Sequence, residues 1–219
     1  MDQYANYMEV LGSFLNERHR LTLCKECAVI IKPWLDNYLQ GKYRSFQSAK
    51  NKLRVQWNNQ FKRTIPGSPL VWLEEIDLIL MPMIWKNQHW VGLAINLGNW
   101  CVDILDPNYH LNDDRQVEEF IAPIVVQISY IINKFCQPRM SQVHGLAPFS
   151  WTRIKGIYVN ERSGDCGRVS MKLIKIYATD GNVEKMALIT DEIVNEFRGQ
   201  YAIDLFQELV APLHQSHSS

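Results

Sequence analysis

The sequence has no excess of either charge. Its 219 residues include 23 lysines and arginines and 23 aspartates and glutamates, so the formal net charge is zero. The chain therefore has no overall basic field that would hold a nucleic acid, and it has no polyacidic tail. Composition gives no support to a polyanion-binding protein, and we expect no nucleic-acid partner for this domain.

Cysteines are few, and long apolar runs are absent. The five cysteines are an odd and scattered set, and no secretory leader with a long apolar core opens the chain. We therefore expect a reducing, intracellular compartment, either the nucleus or the cytoplasm. The apolar stretches at 71–82 and 123–132 are broken by charges, polar residues or prolines, which predicts a soluble protein with no membrane partner.

What the sequence does contain is enough apolar residues for one sizeable core, at 47% of the chain. Apolar residues recur every three or four positions over 4–20, which predicts a helix with one buried face. The order of the predicted elements is helices, then a mostly antiparallel sheet, then helices, which is typical of an α+β domain.

We predict one domain over 1–212 and a disordered tail over 213–219. The other predicted elements are a strand at 76–83 that ends at Pro82, a hairpin around 98–99, a strand at 151–159, helices at 117–135, 169–178 and 191–209, a segment of uncertain type at 24–43 and a solvated helix or loop at 44–60.

The hairpin makes it possible to predict which residues face each other. Two apolar runs flank Gly98 and Asn99, a compact turn signal. If these two residues form the turn, Leu97 pairs with Trp100 and the numbers of all paired residues sum to 197. His89 then faces position 108 on the second strand.

Two aspartates lie near that position, and their parity distinguishes them. Asp106 is two residues from the direct partner of His89, so it shares a face with the imidazole and lies within its reach. Asp103 has the opposite parity and points to the other face. A three-residue loop or a bulge would shift the register by one residue, so the choice of Asp106 depends on the turn.

Cys166 precedes a run that reads as an amphipathic helix. A thiol is a useful nucleophile only as a thiolate, and a helix N-terminus or a nearby imidazolium lowers its pKa. Gly164 and Gly167 allow a tight turn there, and backbone N–H groups at such a terminus can face an oxyanion. With His89 as base and Asp106 as the orienting carboxylate, Cys166 satisfies the logic of a triad.

Each of these residues also has a structural explanation, which stays open at this point. Cysteine is among the most buried residue types. His89 can be a strand-end histidine, and Asp106 can start a turn before Pro107. The Cys-x-x-Cys spacing of Cys24 and Cys27 is half a zinc site or a redox pair, but no second pair follows, so we expect no metal.

The segments "QHWVGLAI", "ILDP" and "RSGDCG", in this order, resemble the ubiquitin-like-protein-specific cysteine proteases, the family that includes the SUMO proteases. The separation of 17 positions between His89 and Asp106 suits the hairpin of that family. "NERSGDCG", with Lys172 soon after, resembles especially the plant branch, many of whose members are carried by transposable elements. The resemblance covers 76–178 closely and the N-terminal helix more loosely.

The resemblance implies a papain-like cysteine protease fold of the SUMO protease type. It implies Cys166 as nucleophile, His89 as general base and Asp106 as the residue that orients the base. Trp90 would wall the narrow channel that receives a diglycine C-terminus. Asn160 stands six residues before the cysteine, where the family usually has glutamine, so it is the predicted oxyanion donor on a shorter stem.

One segment of the family pattern is not found where expected. Members often carry Trp-Leu-Asn-Asp along the substrate channel, and "WLDN" after Pro33 is only a superficial match to it. Trp34 and its neighbours are therefore not part of the predicted site.

The resemblance implies a peptidase or isopeptidase that cleaves after the C-terminal diglycine of a ubiquitin-like modifier, SUMO first, without a cofactor. Its partners would be that modifier and its conjugates. Two alternatives stay open: acetyl transfer at the same His/Asp/Cys site, and a modifier-binding module with weak or no catalysis.

Overall fold

The computed structural model describes residues 3–57, 72–73, 75–136 and 144–207. The predicted tail at 213–219, the domain boundary at 212 and the end of the 44–60 segment lie outside these residues. The helices are α1 (Gln3–Arg18), α2 (Arg20–Lys25), α3 (Trp34–Ser48), α4 (Asp114–Phe135), α5 (Cys166–Asp180), α6 (Val183–Ala187) and α7 (Asp191–Leu205), and the strands are β1 (Ala28–Ile30), β2 (Leu78–Trp85), β3 (His89–Asn96), β4 (Cys101–Leu105) and β5 (Ser150–Arg153).

One five-stranded sheet has the order β1-β2-β3-β4-β5. The long central pairings, β2 with β3 and β3 with β4, are antiparallel, whereas the short outer strands β1 and β5 pair in parallel. Each parallel pairing follows a crossover through a helix, α3 between β1 and β2 and α4 between β4 and β5. The predicted α+β fold with a mostly antiparallel sheet and flanking helices is confirmed.

The sheet is covered on both faces, so alternate residues of its strands enter two separate cores. On one face, α3 and α4 pack their apolar sides against residues such as Met81, Leu93 and Ile104. On the other, α1, α5 and α7 pack against Leu80, Trp90 and Ala94. Neighbouring residues at the start of β3 therefore face opposite layers.

Helix α5 lies very close to β3, and Gly92 makes this approach possible. A Cβ atom at Gly92 would stand 2.8 Å from Cγ1 of Ile174 and 3.3 Å from Cβ of Leu105. Only a residue without a side chain fits between the strand and the helix. This close contact sets the height of α5, and hence of its first residue, above the sheet.

The predicted strand end at Pro82 is wrong, because β2 continues to Trp85. A proline is tolerated there since β1 accompanies β2 only as far as Leu80, so no strand requires an N–H from Pro82 on that side. Beyond this point the first turns of α3 take the place of a strand. The N–H of Ile84 donates to Oδ2 of Asp36 at 3.3 Å, and Nε2 of Gln40 donates to the carbonyl of Ile84 at 3.3 Å.

Several other predictions change in extent. The uncertain 24–43 segment contains the end of α2, the strand β1 and most of α3. Helix α3 continues to Ser48, and residues 44–48 are exposed except for the fully buried Phe46, so the prediction of a solvated helix holds there apart from that side chain. The strand predicted at 151–159 is limited to β5, which ends at Arg153. The helices predicted at 4–20, 117–135, 169–178 and 191–209 are confirmed with shifted ends, and a capping box of Asp113 and Gln116 starts α4.

Candidate active site

The β3–β4 hairpin has the predicted register but not the predicted turn. Asn96 pairs with Cys101 and Gly92 with Leu105, as a sum of 197 requires. The connection is a four-residue turn over 97–100 in which Trp100 has the positive φ, at 55°. The side chain of Asn96 closes this turn by accepting from the N–H of Asn99 at 2.8 Å. The two-residue turn expected at Gly98 and Asn99 does not form.

This register brings His89 and Asp106 together. Nε2 of His89 lies 2.8 Å from Oδ1 of Asp106, and both residues are buried. Asp103 faces the opposite side of the sheet, where it accepts a hydrogen bond of 2.6 Å from the hydroxyl of Tyr177. The parity argument for the two aspartates is confirmed.

Cys166 is the first residue of α5, and the packing of that helix aims it at the hairpin. A Cβ atom at Gly167 would stand 3.0 Å from Sδ of Met8 and 3.4 Å from the indole of Trp90, so the first turn is pressed against β3 and α1. The thiol of Cys166 donates to the carbonyl of Gln88 at 3.8 Å, and His89 is close enough to lower the pKa of the thiol. Because Nε2 of His89 serves Asp106, Nδ1 is the ring nitrogen left for the sulfur.

Hydrogen bonding overrides burial in this triad. Burial alone would lower the pKa of His89, but the hydrogen bonds to Asp106 and Cys166 raise that pKa to about 9. Burial likewise opposes ionisation of Cys166, yet His89 and the backbone N–H groups of Trp90 and Gly167 lower the pKa of the thiol. The pKa of Asp106 is also held below its ordinary value in spite of burial, by His89 first and then by Arg153. Together these shifts favour a thiolate beside an imidazolium.

Arg153 is a member of the site that the sequence did not reveal. It is the last residue of β5, and its guanidinium is buried. Nε donates to Oδ2 of Asp106 at 3.1 Å, and Nη2 donates to the same oxygen. Asp106 therefore gives one carboxylate oxygen to His89 and the other to Arg153.

Asn160 is placed in the site, with part of its amide already engaged. It is buried, and Nδ2 donates to the carbonyl of Arg162 at 3.0 Å while Oδ1 accepts from the N–H of Arg162 at 3.3 Å. Its backbone is tied to the loop that follows Asp106, through Pro107 O at 2.6 Å and Asn108 Nδ2 at 2.9 Å. Since an amide nitrogen carries two hydrogens, one remains for a substrate oxygen.

A cavity of about 420 Å³ opens beside the triad. Ile84, Trp90 and Leu111 line it with apolar surface, and Leu111 is 58% exposed. Trp90 itself is only 4% exposed, so it forms part of the wall while most of its ring packs in the core. The polar lining consists of Gln88, His89, Asn108, Asn160, Glu161, Arg162, Ser163 and Cys166, with Gly164.

The "WLDN" segment that sequence reasoning set aside supports this wall indirectly. It forms the start of α3, and its Asp36 and the following Gln40 hold the backbone of Ile84. Burial raises the pKa of Asp36 to about 7, although Gln40 and Ile84 donate to it. Trp34 packs against Tyr38 with a ring distance of 6.4 Å.

Asp165, directly before Cys166, fixes the loop to helix α7. Its buried carboxylate lies 3.1 Å from Arg168, 3.3 Å from Arg162 and 3.9 Å from Arg198. Arg162 also donates to Asn195 of α7 at 2.8 Å. Although Asp165 is the N-cap of α5, its side chain makes no capping bond, so its contribution here is ionic.

The remaining candidates lie outside this site. Cys24 is exposed and Cys27 half-buried, and the described residues contain no group of three or more His, Cys, Asp or Glu side chains arranged for a metal ion. His144 stacks on Trp100 at 4.8 Å, where it covers the hairpin turn. Within the described part of the chain, no helix is both long enough and apolar enough to cross a lipid bilayer.

The sequence model of the "Ulp1 protease family, C-terminal catalytic domain" matches residues 6–213, nearly the whole chain. The chain belongs to the Ulp1 protease family. It is therefore a cysteine protease domain, and the resemblance to SUMO proteases found in the sequence is confirmed at the level of the family. Assignment to the plant transposon branch stays a prediction. No curated protein sequence matches the chain significantly.

Solved structures support the same fold. The SUMO protease Ulp1 with its catalytic cysteine oxidised to a sulfinic acid is 12% identical, with a TM-score of 0.59 over 90% of this chain and 74% of that chain. The sulfenic acid form of Ulp1 is 14% identical, with a TM-score of 0.58 over 90% of this chain and 74% of that chain. A cysteine-to-alanine mutant of Xanthomonas XopD is 15% identical, with a TM-score of 0.50 over 93% of this chain and 97% of that chain. At such identities the likeness concerns the fold alone.

Proposed function

We propose that this Ulp1-family domain is a peptidase or isopeptidase that cleaves after the C-terminal diglycine of a ubiquitin-like modifier, with SUMO as the first candidate. The observation that carries the proposal is His89, whose Nε2 contacts Asp106 and which lines an open cavity together with Cys166. The fold neighbour Ulp1, which is named a SUMO protease, supports the choice of modifier. A reducing intracellular compartment would keep the nucleophile active.

In the proposed reaction, the Cys166 thiolate attacks the carbonyl carbon of the terminal glycine and forms the C–S bond. The backbone N–H of Cys166 and the amide of Asn160 hold the oxyanion. The imidazolium of His89 then gives its proton to the departing amine as the C–N bond breaks. Water, deprotonated by His89, hydrolyses the thioester and releases the modifier carboxylate and the free thiol.

We infer the diglycine preference from Trp90, whose side chain lines the cavity together with Cys166. Beside such an aromatic wall a glycine would fit, whereas a Cβ branch would clash with it. The partners proposed on this basis are the modifier, its precursor and its conjugates.

A panel of modifiers carrying an electrophile at the C-terminus tests the proposal. Wild type should form a covalent adduct with the SUMO probe, and the Cys166→Ser variant should form none. The Cys24→Ser variant, which alters an exposed cysteine outside the site, is the matched control and should be labelled like wild type. An adduct that persists in Cys166→Ser would refute the assignment of the nucleophile.

The same panel separates the alternatives. Labelling by another modifier and not by SUMO would change the substrate and keep the chemistry. Modifier binding without any adduct would favour a binding module. Acetyl transfer predicts a mass increase of one acetyl group on incubation with acetyl-coenzyme A, which the protease proposal does not.

A further inference from the structure

We infer that Arg153 is a positioning residue of this active site, which holds the carboxylate of Asp106 in the orientation that His89 requires. The inference rests on the proposed function, because it assigns a role to a residue that supports the same triad. Arg153 is not one of the residues that line the cavity. It acts through Asp106.

The geometry of the carboxylate carries the argument. Oδ2 of Asp106 accepts two N–H groups of Arg153, one from Nε at 3.1 Å and one from Nη2. Oδ1 accepts from Nε2 of His89 and from the backbone N–H of Asn108, both at 2.8 Å. Each carboxylate oxygen of Asp106 thus accepts two hydrogen bonds, so the carboxylate cannot rotate without breaking several of them.

The strand register places Arg153 there. Ile104 of β4 pairs with Arg153 of β5, and Asp106 lies two residues beyond Ile104, on the same face of the sheet. The third nitrogen, Nη1, donates to the carbonyl of Asn112 at 2.9 Å. The guanidinium is thereby fixed to the loop that leads into α4, and three hydrogen bonds to two partners, Asp106 and Asn112, determine its rotamer.

Arg153 and Asp106 form a buried ion pair. The side chain of Arg153 is 7% exposed and that of Asp106 is completely buried, so neither charge is compensated by water. A buried guanidinium that serves only to fill space would be costly. Its partner carboxylate is the one that orients the general base, which explains why an arginine stands at the end of this short edge strand.

In the part of the chain that the structure describes, the titratable groups near this pair come from β3, α5 and α4. On β3, His89 contacts Asp106, and beyond it lies Cys166 at the start of α5. From the start of α4, the carboxylate of Asp114 lies 3.7 Å from Nη1 of Arg153 and is 78% exposed. Asp114 therefore reaches Arg153 without touching Asp106, and it provides a matched control.

The role predicts a change in the pH dependence of the thiol. Without Arg153, Asp106 loses two donors and a cation, so it takes up a proton at higher pH than in wild type. The imidazolium of His89 then loses its negatively charged partner and gives up its proton more easily. The thiolate of Cys166 is less stabilised as a result, so the pKa of the thiol rises. The reactivity of Cys166 rises with pH as the thiolate forms, and we call this rise the acid limb. We expect the acid limb to move to higher pH in Arg153→Met.

Alkylation of Cys166 by iodoacetamide, followed by peptide mass spectrometry over a range of pH, measures this limb without any substrate. In Arg153→Lys, the charge is kept but the fork of two bonds is lost, so the limb should return most of the way to its wild-type position. Asp114→Asn should show the wild-type limb. A wild-type limb in folded Arg153→Met, or an equal shift in Asp114→Asn, would overturn the inference.

Turnover of a modifier substrate gives the second readout. Since general acid–base catalysis contributes about 10²–10⁴-fold, loss of a residue that positions the base should lower kcat by about 10- to 100-fold and leave KM nearly unchanged. Should Arg153→Met fail to fold, Arg153→Gln and Arg153→Lys carry the same comparison, and wild-type kcat and pH limb in both would refute the role. If wild type cleaves no modifier, the proposed function fails, but the alkylation profile still tests Arg153.

Discussion

Nε2 of His89 lies 2.8 Å from Oδ1 of Asp106, across a hairpin that separates the two residues by 17 positions in sequence. The contact depends on strand register, since a shift of one residue would present the opposite face of β4 to the imidazole. Asp103 lies on that opposite face, where its carboxylate accepts a hydrogen bond from the hydroxyl of Tyr177 in α5. Asp103 lies within β4 and Asp106 directly follows it. Of these two aspartates, Asp106 contacts His89 and Asp103 contacts Tyr177.

The first prediction compares these two aspartates. In Asp106→Asn, the amide does not stabilise the imidazolium, so kcat on a modifier substrate should fall by about 10²–10⁴-fold. Asp103→Asn should keep wild-type kcat, because an amide oxygen still accepts from the hydroxyl of Tyr177. Steady-state kinetics of both variants decide the matter. Equal losses would show that strand integrity, and not the contact with His89, is responsible.

The second prediction concerns the alkaline limit of activity. His89 must be protonated to give a proton to the leaving amine, and its hydrogen bonds raise its pKa to about 9 in spite of burial. Activity should therefore be maintained through neutral pH and decline as pH rises through about 9. The pH profile of kcat/KM measures this limb, and a decline near the ordinary value of 6.5 would contradict the ion pair.

The same shift has a consequence for stability. Because the folded pKa of His89 exceeds its unfolded value of 6.5, its contribution to stability is fully present below 6.5 and is lost as pH rises through about 9. The difference in unfolding free energy between wild type and His89→Asn should therefore shrink across that interval. Urea unfolding at several pH values measures it, and a difference independent of pH would argue against the raised pKa.

The parts of the site that follow from local patterns could be predicted from sequence. His89 and Asp106 lie on consecutive antiparallel strands, whose pairing is constrained by a short connection. The prediction survived an error in the turn itself, because the four residues over 97–100 keep the same register as the expected two-residue turn. Cys166 was recognisable because a helix N-terminus follows from apolar periodicity and flanking glycines.

Arg153 could not be found in this way. It lies on β5, which pairs in parallel with β4 after a crossover through α4, and a crossover of that length does not determine register. A single arginine in a predicted strand was the only signal, and an exposed edge position would explain it equally well. The support of Ile84 by Asp36 was hidden for a similar reason, since β1 is only three residues long and its early end cannot be read from the sequence.

The third prediction tests Asn160 as an oxyanion donor. Removal of one such donor costs about 10²–10³-fold in kcat, so Asn160→Ala should lower kcat within that range with little change in KM. Asn195→Ala is the matched control, because Asn195 also bonds Arg162, at 2.8 Å, but lies on α7 away from the nucleophile. Full kcat in Asn160→Ala would show that the Cys166 N–H suffices and that Asn160 only fixes its loop through Arg162.

The fourth prediction concerns the contact between β3 and α5. A methyl group at Gly92 would stand 2.8 Å from Cγ1 and 3.2 Å from Cδ1 of Ile174, so the helix must move outward. Overpacking of this kind costs about 1–3 kcal/mol of unfolding free energy, and because α5 carries Cys166, kcat should fall even in the folded fraction. Urea unfolding and kinetics of Gly92→Ala measure both effects.

Three further variants make the Gly92 prediction specific. Gly41→Ala in α3 meets no atom within 4 Å and should be neutral or gain up to about 1 kcal/mol from helix propensity. Ile174→Ala removes the two atoms that a methyl group at Gly92 would strike, so the double variant Gly92→Ala/Ile174→Ala should be more stable than the sum of the single changes allows. Simple additivity would mean that the strand and the helix separate without strain, and that the position of Cys166 above His89 does not depend on Gly92.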